Sequence, residues 1–336
     1  MNQKNIAIYG VGAFGYAILK HLDNKQDGSY TITGYDHVSE VTDTLKQHRH
    51  HPFFHTDTMI SSLPTFVDTP EELLSTANII IVAVSSDATR EIAKNIKTYA
   101  KQPVIILNIA KALDKDTGKR LSQIMAEELT DFTYRYALLA GGTIADDLFR
   151  HEPLGVDIAS EDQKAADFLK DLFTSSNLSV YTTTDLIGVE YASALKNVIS
   201  ILAGIVKGLG FSYGSETHII STTAQQIADV CVSQLGARAD TFTMGRQSWG
   251  NDMWMSCTGE TRNRQLGILL GEGVSAGEAL SAMHKGRKLV EGVNTLQIID
   301  QLPGLKDIPI VKLLHDVLVE KTKTVDDIHD HLLTSK

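Results

Sequence analysis

Ile6-Ala-Ile-Tyr9-Gly10-Val11-Gly12-Ala13-Phe14-Gly15 is the stretch on which the fold turns. An apolar run of strand composition leads into three glycines spaced Gly-x-Gly-x-x-Gly, and helical composition follows. The first glycine permits a tight turn, the second a close backbone approach to a pyrophosphate, and the third close packing of helix on strand. The start of the next helix adds free N–H groups and the positive end of a helix dipole. Alone the spacing is weakly specific. Its place after an N-terminal strand, with a second apolar run ending in Tyr35-Asp36, makes it a dinucleotide signature. Gly10, Gly12, Ala13, Phe14 and Gly15 are candidate cofactor-binding residues. Asp36 stands where a carboxylate would accept from the adenosine ribose hydroxyls and repel a 2′-phosphate. No arginine follows nearby, so NAD is expected over NADP. The alternative is that Asp36 caps the turn into His37-Val38-Ser39.

Outward from that stretch, short apolar runs alternate with helical patterns. Strands are expected at 6–9, 30–34, 65–67, 79–84, 104–107, 136–140, 156–159 and 179–182. Thr69-Pro70-Glu71-Glu72 reads as a helix start, with threonine as N-cap and proline in the first turn. Ser160 to Gln163 has capping-box spacing ahead of Ala166, Phe168, Leu169 and Leu172. Strands alternating with helices imply an α/β, doubly wound, mainly parallel sheet covered on both faces. After about Asp185 the strand signals stop and long helical patterns follow, with Ser275 to Glu278 as another capping box. The expected organisation is a dinucleotide-binding Rossmann domain over 1–185 and an all-helical substrate-binding and catalytic domain over 186–336.

A chain of 336 residues can hold two such cores. A net charge of -10 argues against a general nucleic-acid binder. No run of roughly 18 uninterrupted apolar residues occurs, so no membrane span is expected. The N-terminus enters a strand directly, without a secretory pattern. The two cysteines, Cys231 and Cys257, cannot frame a chain of this size with disulfides, and a cytoplasmic location is expected.

Gly188 to Gly210, GVEYASALKNVISILAGIVKGLG, reads as one long helix of small and apolar residues with Lys196 in its middle and Asn197 beside it. Burying a lysine is costly, because desolvation disfavours its charged form. The same cost makes Lys196 a candidate proton donor. The plainer alternative is a lysine whose stem snorkels to water. Trp249 to Arg264 gathers both tryptophans beside Asp252, Ser256 and two arginines. Asp252 could pair with a catalytic lysine, and Arg262 and Asn263 could hold an anionic group with fork-like donors. A solvated helix start explains the same residues equally well. The histidine-rich run Lys46 to His55 is interrupted by Pro52 and has no carboxylate or cysteine at ligand spacing. It is expected to be a basic loop near the cofactor, and no metal is expected.

Together these pieces resemble the soluble, two-domain NAD-dependent sn-glycerol-3-phosphate dehydrogenases, from Gly10 to about Gly292. The matching stretches are the glycine motif, His50-His-Pro-Phe-Phe54, Ser85-Ser-Asp-Ala-Thr-Arg90 and Ala110-Lys-Ala112. They continue with Ala140-Gly-Gly-Thr-Ile-Ala145, the stretch from Gly188 to Asn197, Thr261-Arg-Asn263 and Val290-Glu-Gly292. Gly188 to Asn197 is the most specific of them. The resemblance implies a 6-phosphogluconate-dehydrogenase-like helical C-terminal architecture and hydride transfer between NAD(H) and C2 of dihydroxyacetone phosphate. It implies catalytic roles for Lys196, Lys111 and Asp252. Lys111, Gly141, Thr143, Asn197, Ser256, Thr261, Arg262 and Asn263 would bind the substrate. Ser85, Lys111, Ala145, Arg262 and Glu291 would join the glycine loop and Asp36 at the dinucleotide. A cytoplasmic homodimer of glycerophospholipid and carbohydrate metabolism, acting on a small phosphorylated substrate, is the implied setting.

The chain also departs from that family. Gly142 replaces a usual proline, with Thr143-Ile144 after it. Ile220-Ser-Thr-Thr223 lacks a usual arginine, and Met244 to Asp252 replaces a usual glycine-rich approach. These changes leave the lysine chemistry intact and reshape the substrate wall. They keep open a sibling dehydrogenase for another phosphorylated or phosphonylated ketone. A dinucleotide-sensing protein without turnover is the reading from another class.

Overall fold

The computed structural model describes residues 4–25, 28–285 and 290–334. Residues 1–3 and 335–336, the outer ends of the two expected domains, lie outside the described residues. The chain forms two compact units, one of residues 1–111 and 121–186, the other of 112–120 and 187–336.

The first unit is built on an eight-stranded sheet of order β3-β2-β1-β4-β5-β6-β7-β8. The strands are β1 Lys4–Tyr9, β2 Tyr30–Tyr35, β3 Thr65–Phe66, β4 Ile79–Val82, β5 Val104–Asn108, β6 Tyr134–Ala140, β7 Leu154–Ala159 and β8 Leu178–Thr183. The main helices between them are α1 Ala13–Lys25, α2 Ser39–His48, α3 Pro70–Leu74, α4 Thr89–Tyr99, α5 Leu121–Glu128, α6 Ala145–Phe149 and α7 Gln163–Phe173. β4 reads Ile-Ile-Ile-Val and is buried throughout, as a parallel strand covered on both faces requires. β1 pairs with both β2 and β4, so the strand order reverses there and the glycine loop leaves the sheet at the switch point. Every described pair is parallel except β6 with β7, which run antiparallel from Leu138 opposite Ala159. The connection between them, residues 141–153, carries the five-residue α6 and returns the chain in the opposite sense.

Thr69 caps α3 as expected, accepting the Glu72 N–H at 3.2 Å, with Pro70 in the first turn. The expected capping box at Ser160 is corrected. Asp162 is the N-cap of α7 and accepts the Ala165 N–H at 2.9 Å, while the buried Ser160 hydroxyl donates to the Tyr136 carbonyl at 2.6 Å. A two-residue shift of the cap leaves the serine free to tie β6 to the segment after β7.

The second unit is helical. Its helices are α8 Leu186–Gly208, α9 Tyr213–Gln234, α10 Asp252–Thr258, α11 Arg262–Gly271, α12 Ala276–Lys285, α13 Glu291–Gln297, α14 Pro309–His315 and α15 Val325–Thr334. Ser275 caps α12 through its hydroxyl, which accepts the Glu278 N–H at 3.4 Å and donates to Glu278 Oε2 at 2.6 Å. α8 is long and apolar enough to cross a membrane, but its apolar window is 100% buried in the protein. α8 and α11 cross closely. A Cβ on Gly267 would collide with the Ile201 carbonyl, and one on Gly204 with the Arg264 carbonyl. Gly208 and Gly271 repeat the pattern one turn on.

The segment Ala112–Arg120 belongs with the helical unit although it interrupts the other in sequence. It is a strap closed by a bridge between Leu113 and Arg120. Leu113 is buried in the helical core, and Arg120 pairs with the buried Glu190 of α8 at 2.8 Å.

Candidate active site

In the first unit the glycine loop has the form a diphosphate needs. Gly10 sits at φ +95°, and a Cβ there would press on the Ala83 carbonyl at 2.7 Å. A Cβ on Gly15 would strike the Gly10 carbonyl, so the third glycine lets α1 start hard against β1. At Gly12 a Cβ would meet nothing within 4 Å. Of the three glycines the middle one is the open one, where a ligand can come close to the backbone. The first bond of α1 runs from the Tyr16 N–H to the Gly12 carbonyl at 2.8 Å, which leaves the N–H groups of Ala13, Phe14 and Gly15 ahead of it. Two closed glycines, one open one and free helix N–H groups fit a dinucleotide.

Asp36 is buried at the end of β2, and its carboxylate does two things. Oδ2 accepts the Val11 N–H at 2.9 Å, tying β2 to the glycine loop, and Oδ1 accepts the Val38 N–H at 3.0 Å. The second bond is the turn cap weighed from the sequence; the first is a loop support that the sequence did not reveal. The exposed His37 ring lies 3.3 Å from Oδ1. Each carboxylate oxygen keeps a lone pair for a ribose hydroxyl.

Ser85 is exposed after β4, ahead of a short 3₁₀ turn over Ser86–Ala88. Lys111 follows β5 and its ammonium donates to the Gly141 carbonyl. Gly141 is packed so closely that a Cβ would lie 2.6 Å from the Gly155 carbonyl. The Thr143 N–H returns to the same Gly141 carbonyl at 2.8 Å, and Ala145 opens α6 two residues later. Lys111, Gly141 and Thr143 are thus brought together, with Ala145 adjoining.

In the second unit Lys196 is buried in the middle of α8, 6% exposed. Its ammonium donates to Asp252 Oδ1 at 3.0 Å and to Ser256 Oγ at 2.7 Å. Asp252 and Ser256 stand one turn apart on α10, so one helix face presents both to the lysine. The snorkelling alternative is excluded, because the ammonium ends on buried partners. Asp252 itself is fully buried. The helix reaches it through a π-helical turn at Gln247–Asn251. Trp249 is buried against Phe242, centroids 5.0 Å apart, while Trp254 is 60% exposed.

A second cluster adjoins. Asn263 Nδ2 donates to Asn197 Oδ1 at 2.9 Å, Asn263 Oδ1 accepts the Gly292 N–H at 3.0 Å, and Asn197 Nδ2 donates to Glu291 Oε2 at 3.3 Å. The asparagines therefore organise the start of α13 as well as whatever they bind. Thr261 precedes α11 and donates to the Ser256 carbonyl at 2.8 Å. Arg262, first residue of α11, is exposed and has no ion pair among the described residues. Two supports went unseen in the sequence. Ser200, one turn beyond Lys196, donates to the Ser256 carbonyl at 2.6 Å, and Arg264 pairs with the buried Glu216 at 2.8 Å. The i, i+4 spacing of Lys196 and Ser200 on one helix was the available signal. Cys257, next to Ser256, has its thiol pushed up to about 12 by burial, against the lowering influence of Lys196, and is no nucleophile at neutral pH.

Family models of NAD-dependent glycerol-3-phosphate dehydrogenase match this chain twice: the N-terminal one over residues 5–166, the C-terminal one over 185–329. Curated relatives named glycerol-3-phosphate dehydrogenase [NAD(P)+] are similar over nearly full length. That of Clostridium perfringens is 30% identical over 95% of this chain and 94% of its own, and that of Bacillus pumilus 32% identical over 98% and 94%. The fold is that of the glycerol-3-phosphate dehydrogenase from Coxiella burnetii, with a TM-score of 0.84, 24% identity and 99% of each chain covered.

Proposed function

Because the chain belongs to the NAD-dependent glycerol-3-phosphate dehydrogenase family, we propose that it interconverts dihydroxyacetone phosphate and sn-glycerol 3-phosphate with NAD(H) as cofactor. Bound NADH supplies the hydride that reaches the ketone carbon C2. The chain's own residues manage the oxygen. Negative charge builds there as the C–H bond forms, and an ammonium beside it stabilises the charge and then hands over a proton. Lys196 is that group. Two of its three N–H donors are spent on Asp252 and Ser256, which leaves one to point at a substrate oxygen. This is the observation that carries the reading. Asp252 holds the ammonium in place and compensates its charge in a buried setting. In the reverse direction the same lysine, neutral, takes the proton from the C2 hydroxyl.

Lys111 orients the substrate beside Gly141 and Thr143. Arg262, with Thr261 and Asn263, holds the phosphate: its guanidinium stands at the start of α11, where the helix dipole also favours an anion. A dianionic phosphate gives binding energy remote from the reacting carbon, which can position the carbonyl. A cytoplasmic homodimer is the form in which we expect the enzyme to act.

The π-helical turn before Asp252, within the departing stretch Met244 to Asp252, favours one second reading: a sibling enzyme for a related phosphorylated or phosphonylated ketone. One experiment separates them. NADH consumption is followed with dihydroxyacetone phosphate and then with a panel of such ketones. The expected outcome is fastest turnover of dihydroxyacetone phosphate. Arg262→Ala should raise KM for it, because the phosphate would lose a charge-assisted fork. Binding of NADH with no turnover of any ketone would move the chain to the sensing class.

A further inference from the structure

The histidine-rich run is left unused by this mechanism, and its last member reaches across the first unit. His55 lies in the segment between α2 and β3, and Asp146 is the second residue of α6, 91 positions further along the chain. The Nε2–H of His55 donates to Asp146 Oδ1 at 2.6 Å. Its ring stacks on Phe149 of the same helix, centroids 4.1 Å apart with 12° between the planes. Phe149 in turn stacks on Tyr16 of α1 at 5.5 Å. One histidine thus holds α6 near its start and at its end. The backbone that presents it is strained. His55 sits at φ +48°, in the left-handed region that glycine occupies at least cost, within a turn closed by the Thr58 N–H on the His55 carbonyl at 3.0 Å. Contacts at the far end of the side chain fix that conformation.

α6 needs such a hold. Five residues are too few for a helix to stand by itself, and its N-cap, Ile144, supplies no side-chain bond. Arg150 lies 3.1 Å from Asp146 Oδ2, but that pair is one turn apart and stays within the segment. What leads into α6 is the proposed substrate wall. Two residues ahead of it, the Thr143 N–H bonds the same Gly141 carbonyl that receives the Lys111 ammonium. We propose that His55 is a positioning residue for the substrate end of the reaction. By fixing α6 at Asp146 and Phe149 it sets where Gly141 and Thr143 lie, and so where the Lys111 ammonium is held. The inference rests on the dehydrogenase reading, in which those three residues orient the ketone. A misplacement of about 1 Å in orienting groups can cost about a hundredfold in rate.

Glycine separates this role from that of a plain turn residue. His55→Gly relieves the left-handed backbone and removes both contacts with α6, whereas His55→Gln restores a donor that can reach Asp146. The dissociation constant of NADH is read from nicotinamide fluorescence. kcat and KM for dihydroxyacetone phosphate are measured at saturating NADH, with thermal midpoints alongside. For His55→Gly the expected result is a midpoint within a few degrees of the parent, NADH affinity within about threefold, and kcat/KM for the ketone about tenfold lower. His55→Gln should recover kcat/KM to within about threefold. Asp146→Ala should lower it as well, and the double variant His55→Gly/Asp146→Ala should be no worse than His55→Gly alone, because both act through one contact. Unchanged kcat/KM in His55→Gly would make His55 a turn residue that glycine replaces, and would overturn the proposal. So would losses that add in the double variant, or a loss of NADH affinity as large as the loss of kcat/KM. If His55→Gly does not fold, Asp146→Ala and His55→Gln carry the same comparison. Absence of dihydroxyacetone phosphate turnover in the unsubstituted protein would instead overturn the dehydrogenase reading, and this proposal with it.

Discussion

The glycine loop of the first unit offers an anion backbone N–H groups at Ala13, Phe14 and Gly15, whereas the second unit rests its chemistry on one buried ammonium held by Asp252 and Ser256. Both regions depend on glycine, in opposite senses. Gly12 leaves space open, and Gly267 lets two helices close on each other. Backbone donors need a shape and nothing more, so their loss shows first as lost affinity. A buried charged side chain needs partners, so its loss reaches chemistry and stability together.

Lys196→Met probes the contrast hardest. A general acid is commonly worth about 10²–10⁴ in rate, and kcat should fall by at least that range, with NADH binding unchanged. The same change strips the fully buried Asp252 of a cation, and breaking such a pair costs about 3–5 kcal/mol. Adding Asp252→Asn should restore much of the thermal midpoint and none of the activity. Lys207→Met, at an exposed position on the same helix, is the control. Near-normal kcat in Lys196→Met would sink the proposed chemistry.

Next come the two glycines. Gly267→Ala forces a methyl into the Ile201 backbone and should cost about 1–3 kcal/mol or more, read as a lower denaturation midpoint. Gly12→Ala meets open space and should leave the midpoint within a degree or two while weakening NADH binding markedly. If both variants lost stability alike, the proposed difference between an open and a closed glycine would be wrong. Asp36→Ala is the mildest case. It removes the 2.9 Å support of Val11 and the charge set against a 2′-phosphate, so the preference for NADH over NADPH should narrow by about tenfold. A preference that stays as it was would leave Asp36 as a turn cap alone.

What the chain disclosed in advance followed from local chemistry. The strand, the three glycines and the helix after them are contiguous, and so are Thr69 and Pro70 at the start of α3. The length and apolar character of α8 can be read in one window, with Lys196 as the lysine in its middle. Less visible was whatever depends on distant segments meeting. Asp252 lies 56 residues from Lys196, and its aim is set by a π-helical turn that no composition announces. The small residues of α8 suggested a packed helix but not that Gly204 and Gly208 would meet Gly267 and Gly271. The alternating pattern suggested a mainly parallel sheet, and nothing local marked β6 and β7 as its antiparallel pair. His51 read as part of a basic loop, and only its burial sets it apart from the neighbouring histidines.

The strap Ala112–Arg120 bears on how the chain can be taken apart. Because the polypeptide passes from one unit to the other at 111, 120 and 186, no single cut separates them. A fragment ending at 186 would carry the strap without its host: Leu113 would lose the core that covers it, and Arg120 would lose the Glu190 carboxylate. A clean excision of the sheet-bearing unit would have to replace 112–120 with a short polar link. Lys111, at the first of these passages, is the proposed site residue most exposed to such surgery.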